Sequence, residues 1–116
     1  MVDDSTDLLF KSLAHTARRR MLDLVQHAPG MTVKALSSHF DMTRIAVLKH
    51  LRQLEAADLI LSKKRGRERH LYFNPVPIQQ IYDRWTDRYS AFFAGRLVDM
   101  KDRVERREQR KDQNSA

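Results

Sequence analysis

Apolar and polar positions repeat along this chain with two different periods. Between Thr43 and Ala57, Val47, Leu51 and Leu54 recur at steps of three and four, which makes one apolar stripe on a helix. Arg44, Leu48, Lys49 and Arg52 fall on its other faces. Thr43 stands where a hydroxyl accepts the unpaired amides of a first turn, so it is the expected cap. Just before it, Thr32 caps a shorter helix with Val33, Leu36 and Phe40 pointing inward and Ser37, Ser38 and His39 outward. A tight turn at Asp41-Met42 joins the two, since Asp tolerates a left-handed backbone better than most residues. After Asp58 the period shortens. Leu59-Ile60-Leu61 and Leu71-Tyr72-Phe73 read as strands flanking a basic stretch whose only glycine, Gly66, marks the turn. The pattern predicts a helix-turn-helix over 32–57 and a two-stranded β-wing over 59–73.

The flanking segments add three more helices. Residues 1–5 form a loose, acidic N-terminus. Ser5 or Thr6 then caps a helix holding Leu8, Leu9, Phe10 and Leu13, an apolar set too wide for a lone surface helix. Thr16 caps a second, through Arg18-Arg19-Arg20 to Met21, Leu22, Leu24 and Val25, ended by Pro29-Gly30. The three arginines either reach a nucleic-acid backbone or pair with carboxylates within the protein. Asn74-Pro75-Val76-Pro77 breaks the chain again. From there a single helix is expected over 78–110, roughly 50 Å long. Ile78, Ile81, Tyr82, Trp85, Tyr89, Phe92, Phe93, Leu97, Met100 and Val104 follow one another on it in coiled-coil-like steps. Residues 111–116 make a frayed tail. The expectation is a mainly α fold, a single winged helix-turn-helix domain over 1–116 with about five helices. Its core is expected to hold Leu22, Val25, Val33, Leu36, Val47, Leu51, Leu54, Leu59, Leu61 and Phe73.

Composition narrows the function. With 116 residues and 41% apolar, the chain suits one folded domain. No apolar run approaches the roughly 18 residues of a membrane span, and the acidic start is not a signal peptide, so a cytoplasmic protein with no membrane partner is expected. Cysteine is absent, which excludes disulfides and thiolate metal sites. The net charge of +7 favours a polyanion, most commonly nucleic acid. The five histidines, His15, His27, His39, His50 and His70, form no close helical pair with one another, and no phosphate-binding loop or nucleophile motif is present. No cofactor, no metal site, no catalytic residue and no enzymatic activity are expected.

The sequence resembles the ArsR/SmtB family of bacterial repressors over roughly residues 8–77. FKSLAHTARRRMLDLV looks like that family's second-helix signature. MTVKALSSHFDMTRIAVLKHLRQLEAADLI is similar to its helix-turn-helix, and LSKKRGRERHLYFNP to its wing. The helix carrying Trp85 and Phe92-Phe93 fits a subgroup that dimerises through an aromatic C-terminal helix. The resemblance implies a homodimer that represses its own operon and releases DNA when an inducer binds. Metal-sensing members carry a cysteine pair in the third helix, or Asp and His ligands between the dimer helices. Val33 to Phe40 holds no cysteine and no histidine follows His70, so the subgroup is a non-metal-sensing one with an unidentified small-molecule inducer.

The expected partner is double-stranded DNA, read as an inverted repeat by a transcription regulator. The contacts are expected from Ser37, Thr43, Arg44, Ile45, Leu48, Lys49 and Arg52 on the helix-turn-helix and from Lys64, Arg65 and Arg67 on the wing. The dimer interface is expected to hold Leu8, Leu9, Leu13, Trp85, Tyr89, Phe92, Phe93 and Leu97. The alternative is a winged-helix module for protein contact or assembly whose basic surface binds DNA only non-specifically.

Overall fold

The structure, a computed structural model, describes residues 4–87 and 90–114. Among them run six helices and three strands: α1 (Asp4–Leu13), α2 (Thr16–His27), β1 (Met31–Thr32), α3 (Val33–Ser37), α4 (Arg44–Ala56), β2 (Ile60–Arg65), β3 (Glu68–Phe73), α5 (Val76–Thr86) and α6 (Ser90–Asn114). The chain divides into two compact units, Met1–Gln80 and Ile81–Ala116. No described helix is long and apolar enough to cross a membrane.

The first unit is a winged helix-turn-helix. Met21, Leu22 and Val25 of α2, Val33 and Leu36 of α3, and Val47, Leu51 and Leu54 of α4 are all buried, so each predicted stripe faces one core. Thr43 and Thr32 cap their helices as expected: the Thr43 hydroxyl accepts from Ala46 N at 3.1 Å and the Thr32 hydroxyl from Ala35 N at 3.1 Å. The second helix is capped differently. His15, not Thr16, is its N-cap, its Nδ1 accepting from Ala17 N at 3.1 Å, and Thr16 already lies inside the helix. An imidazole nitrogen performs here the acceptor role usually taken by a hydroxyl. Ser5 and Thr6 likewise lie inside α1, which begins at Asp4.

The sheet has three strands, not two. β1 adds to the hairpin, giving the order β1-β3-β2 with all pairs antiparallel. Two residues are too few to show a period, which is why the sequence does not announce this strand. The turn Gly66-Arg67 has positive φ only at Gly66 (φ 62), the primed turn geometry that asks for glycine at its first central position.

The entry to β2 is set by the end of α4. Asp58 N–H donates to Glu55 O at 2.9 Å and Leu59 N–H to Leu54 O at 2.9 Å, with Asp58 at φ 58. These bonds form a Schellman cap, with Asp where glycine usually stands and with Leu54 and Leu59 both buried as its apolar pair. Asp58, not Asp41, therefore takes the left-handed conformation. Leu59 turns into the core before the strand begins, and Ile60, paired with Phe73, is the first inward residue of β2. Leu61 points outward and is 52% exposed. A period of two leaves no other choice once Ile60 is inside. Leu61 thus leaves the predicted core, Phe73 is half-buried, and Leu9, Met21, Ala57, Ile60 and Leu71 join it.

The predicted single helix over 78–110 is interrupted: α5 ends at Thr86, Asp87 lies in a turn, and α6 starts at Ser90. Thr86 is β-branched and its hydroxyl bonds Tyr82 O at 2.6 Å, a side-chain competitor that weakens a helix without any proline or glycine. At its far end α6 runs to Asn114, past the predicted fraying point at 111.

Candidate nucleic-acid interface

The interface is assembled on α4. Its buried stripe of Val47, Leu51 and Leu54 leaves Arg44, Ile45, Lys49 and Arg52 exposed and Leu48 half-buried. Ile45, Lys49 and Arg52 lie at i, i+4 and i+7, hence on one line of the helix surface. Arg44 and Leu48 lie beside that line and line an open groove of about 300 Å³. Lys34 on α3 and Arg67, Glu68 and Arg69 on the wing form its other walls. The fold therefore brings Arg44, Leu48 and Arg67, predicted from different elements, to one groove. Lys64 and Arg65 are exposed on β2 but do not line it. Thr43 is exposed at the helix start, its oxygen accepting from Ala46 N and its hydroxyl proton still available to an acceptor.

One predicted contact is not presented. The hydroxyl of Ser37 is covered from solvent and has no hydrogen-bond partner, because α3 turns that side chain toward the body of the domain. Ser37 itself is half-buried, so of the predicted contacts it is the one whose polar atom the structure turns away from solvent.

The wing is tied to α4 through Arg69. Its Nη2 donates to Glu55 Oε1 and, at 2.9 Å, to Ser62 Oγ, while Ser62 Oγ donates to Glu55 Oε1 at 2.6 Å. A carboxylate on α4 thereby holds both wing strands. Arg69 also lines the groove, as does Lys34. Neither stood among the predicted contacts, although Lys34, one residue into α3, was visible as a cation on a capped helix.

Behind α4 the three arginines of α2 are engaged inside the unit, with main-chain carbonyls and a ring rather than carboxylates. Arg18 donates to Ser12 O at 2.8 Å and Lys11 O at 2.9 Å, and Arg19 to Leu13 O at 2.7 Å. These are carbonyls at the end of α1, where cations are favoured, and Lys11 O also accepts from Ala14 N at 3.3 Å. Arg20 stacks over the Phe40 ring at 5.0 Å. Arg18 also meets His50 Nδ1 at 3.1 Å, and the His50 ring lies 4.5 Å from that of His15. Burial, then the charges of His15 and Arg18, holds His50 below its ordinary value. A neutral ring whose Nδ1 accepts from Arg18 fits that direction. α4 is thus fastened to α2 by Arg18 and His50.

The residues predicted for the dimer interface separate. Leu9 is buried in the core of its own unit, so it is not free to cover a partner. Leu13 is half-buried and Leu8 partly exposed. Trp85 and Leu97 are 62% and 63% exposed. Tyr89 lies outside the described residues, as do the side chains of Phe92 and Phe93.

Comparison with known proteins places these features. A family model described as a helix-turn-helix domain matches residues 13–62. The uncharacterized HTH-type transcriptional regulator YuzN of Bacillus subtilis (strain 168) is 33% identical over 92 residues, 74% of this chain and 100% of that protein. The transcriptional repressor SdpR of the same organism is 27% identical over 71 residues, 61% of this chain and 78% of that protein. A crystal structure of an ArsR family transcriptional regulator superposes with a TM-score of 0.68 at 25% identity, covering 79% of this chain and 94% of that one.

Proposed function

Since this chain belongs to the ArsR-like winged helix-turn-helix transcriptional regulators, a DNA-binding family, we propose that it is a cytoplasmic homodimeric repressor of an inverted-repeat operator. The observation that carries the reading is the outer face of α4. Arg44, Lys49 and Arg52 are exposed on it, Arg44 in the groove that Arg67 of the wing also lines, opposite a stripe fully committed to the core. Arg44, on the first turn, reaches a guanine edge with two hydrogen bonds, and Lys49, Arg52, Lys64, Arg65 and Arg67 hold phosphates. The name of the repressor relative supports repression over activation.

The exposed apolar residues of the C-terminal helices support the dimer. Leu97, Met100 and Val104 follow at steps of three and four on α6, all at least half exposed. A second copy supplies the missing cover, and a two-fold axis sets two recognition helices about 34 Å apart, one turn of DNA. Release follows from a small-molecule inducer. With no cysteine in the chain and no histidine after His70, chelators and added zinc are expected to leave operator affinity unchanged.

The test is retention of the chain's own promoter DNA against a scrambled duplex across a salt series. Arg44→Ala is expected to weaken operator binding by about 1–3 kcal/mol and scrambled DNA much less. Arg67→Ala is expected to weaken both alike and to lower the salt slope by about one. Equal retention of operator and scrambled duplex by the wild type sinks sequence-specific repression and leaves the protein-contact module.

A further inference from the structure

Ile45 is 70% exposed, more than any other large apolar side chain among the described residues. It sits on the first turn of α4, next to Arg44 in the chain and at the head of the line that continues through Lys49 and Arg52. Leu48, one turn on, is half-buried at the edge of the groove that Arg44 and Arg67 also line. Nothing in its own unit covers Ile45. A single exposed isoleucine is ordinary surface. An isoleucine with a leucine at i+3, on a helix face that also carries Arg44, Lys49 and Arg52, is a small apolar spot inside a field that attracts polyanions. Duplex DNA is the polyanion that offers an apolar group in its major groove, the C5-methyl of thymine. The N-terminal turns of a recognition helix are also the part that comes nearest to base edges.

On the reading of α4 as a DNA-contacting helix, we infer that Ile45, with Leu48 beside it, is a specificity residue that packs on thymine methyl groups. Each half-site then carries thymine next to the base pair that Arg44 reads. Specificity is split between two chemistries on adjacent residues: hydrogen bonding from Arg44 and methyl contact from Ile45. The cations around them set affinity without choosing sequence.

The experiment begins with a duplex selected by the full chain from a randomised pool. Each thymine of one half-site is then replaced in turn by deoxyuridine, which removes the methyl and nothing else. At one or two positions the wild type is expected to lose about fourfold in affinity, the worth of burying one carbon. Ile45→Ala is expected to bind the thymine duplex about as weakly as the wild type binds the deoxyuridine one, and to ignore the substitution. Ile45→Val, which keeps two methyls, is expected to fall between. Because Ile45 is exposed, these variants fold, and their melting curves check it. Selective binding with no deoxyuridine effect at any thymine, or with the same effect in Ile45→Ala, overturns this inference and leaves DNA reading intact. Failure to select any duplex overturns the DNA reading itself, and this inference with it.

Discussion

The two units of this chain treat their apolar residues in opposite ways. Between α1 and β3, Met21, Leu36, Leu51, Leu54, Leu59 and Leu71 lie beneath at most one hundredth of exposed surface, and the polar caps, strand pairs and arginine bridges close around them. Beyond residue 80, Tyr82, Trp85, Leu97, Val98, Met100 and Val104 are all at least half exposed. The first unit holds enough elements to cover its own stripes. The second holds, among its described residues, only the end of α5 and α6, and a helix cannot bury its own face. On the dimer proposal that face takes its cover from a second copy, whereas the first unit covers its own stripes.

The contrast breaks most visibly with paired truncations. Leu54→Ala empties a fully buried position that also anchors the Schellman cap, and is expected to cost about 2–5 kcal/mol in denaturant unfolding. Leu97→Ala removes the same atoms from an exposed site and is expected to change the stability of dilute protein by less than about 0.5 kcal/mol. Equal losses in dilute solution show that the second unit is covered within one chain. A smaller effect comes from Trp85→Asp. It is expected to leave the helical signal of the first unit in place while weakening self-association by about 2 kcal/mol or more, roughly thirtyfold, in sedimentation at micromolar concentration. A wild type that sediments as a monomer removes the reason for the exposed stripe given above.

Two finer tests address the self-sufficient unit. Asp58 holds φ 58 at a position that glycine occupies without strain. Asp58→Gly is therefore expected to raise unfolding stability by about 0.5–1 kcal/mol, and a fall instead shows that the Asp58 side chain has a favourable role at the cap. His50 concerns pH. Its folded value is lowered by burial, by His15 and by Arg18 below the ordinary value of 6.5, so the unfolded chain binds that proton more readily. The stability tied to the neutral ring is complete above about 6.5 and drains away as pH falls from there through the lower folded value. Melting temperature is expected to drop on going from pH 7.5 to 5, and less so in His50→Asn, whose amide oxygen accepts from Arg18 without titrating. Parallel pH profiles for the two proteins mean that other groups govern the acid limb.

Much of the architecture was legible in the residues because it rests on local rules. Thr32 and Thr43 cap by chemistry that reaches three residues ahead, and the stripe Val47, Leu51, Leu54 is a property of 3.6 residues per turn. Cations at Arg44, Lys49, Arg52 and around Gly66 could be placed on outer faces by the same periodicity. What resisted was whatever depends on a partner distant in sequence or on the exact point where a period starts. His15 displaced Thr16 as cap because the chain bends there against His50, 35 positions away. A left-handed Asp58 shifted the strand phase by one residue, which put Ile60 inside and Leu61 outside. Ser37 turned inward because a helix of five residues offers too short a run to fix its faces.

The sequence by itself determined most of the helices and the two wing strands, though not β1 or the break between α5 and α6. It also determined where two of the helices begin, and that the chain carries a net positive charge. These follow from short-range sterics, hydrogen bonding and charge, which any stretch of chain feels before it folds. Only the tertiary structure decided that the arginines of α2 close α1 and hold His50, that Glu55 and Arg69 lock the wing to α4, and that Arg44, Leu48 and Arg67 meet at one groove. Each joins residues from different elements, and such pairings arise from packing, where the net energy of a contact depends on what has already been buried around it.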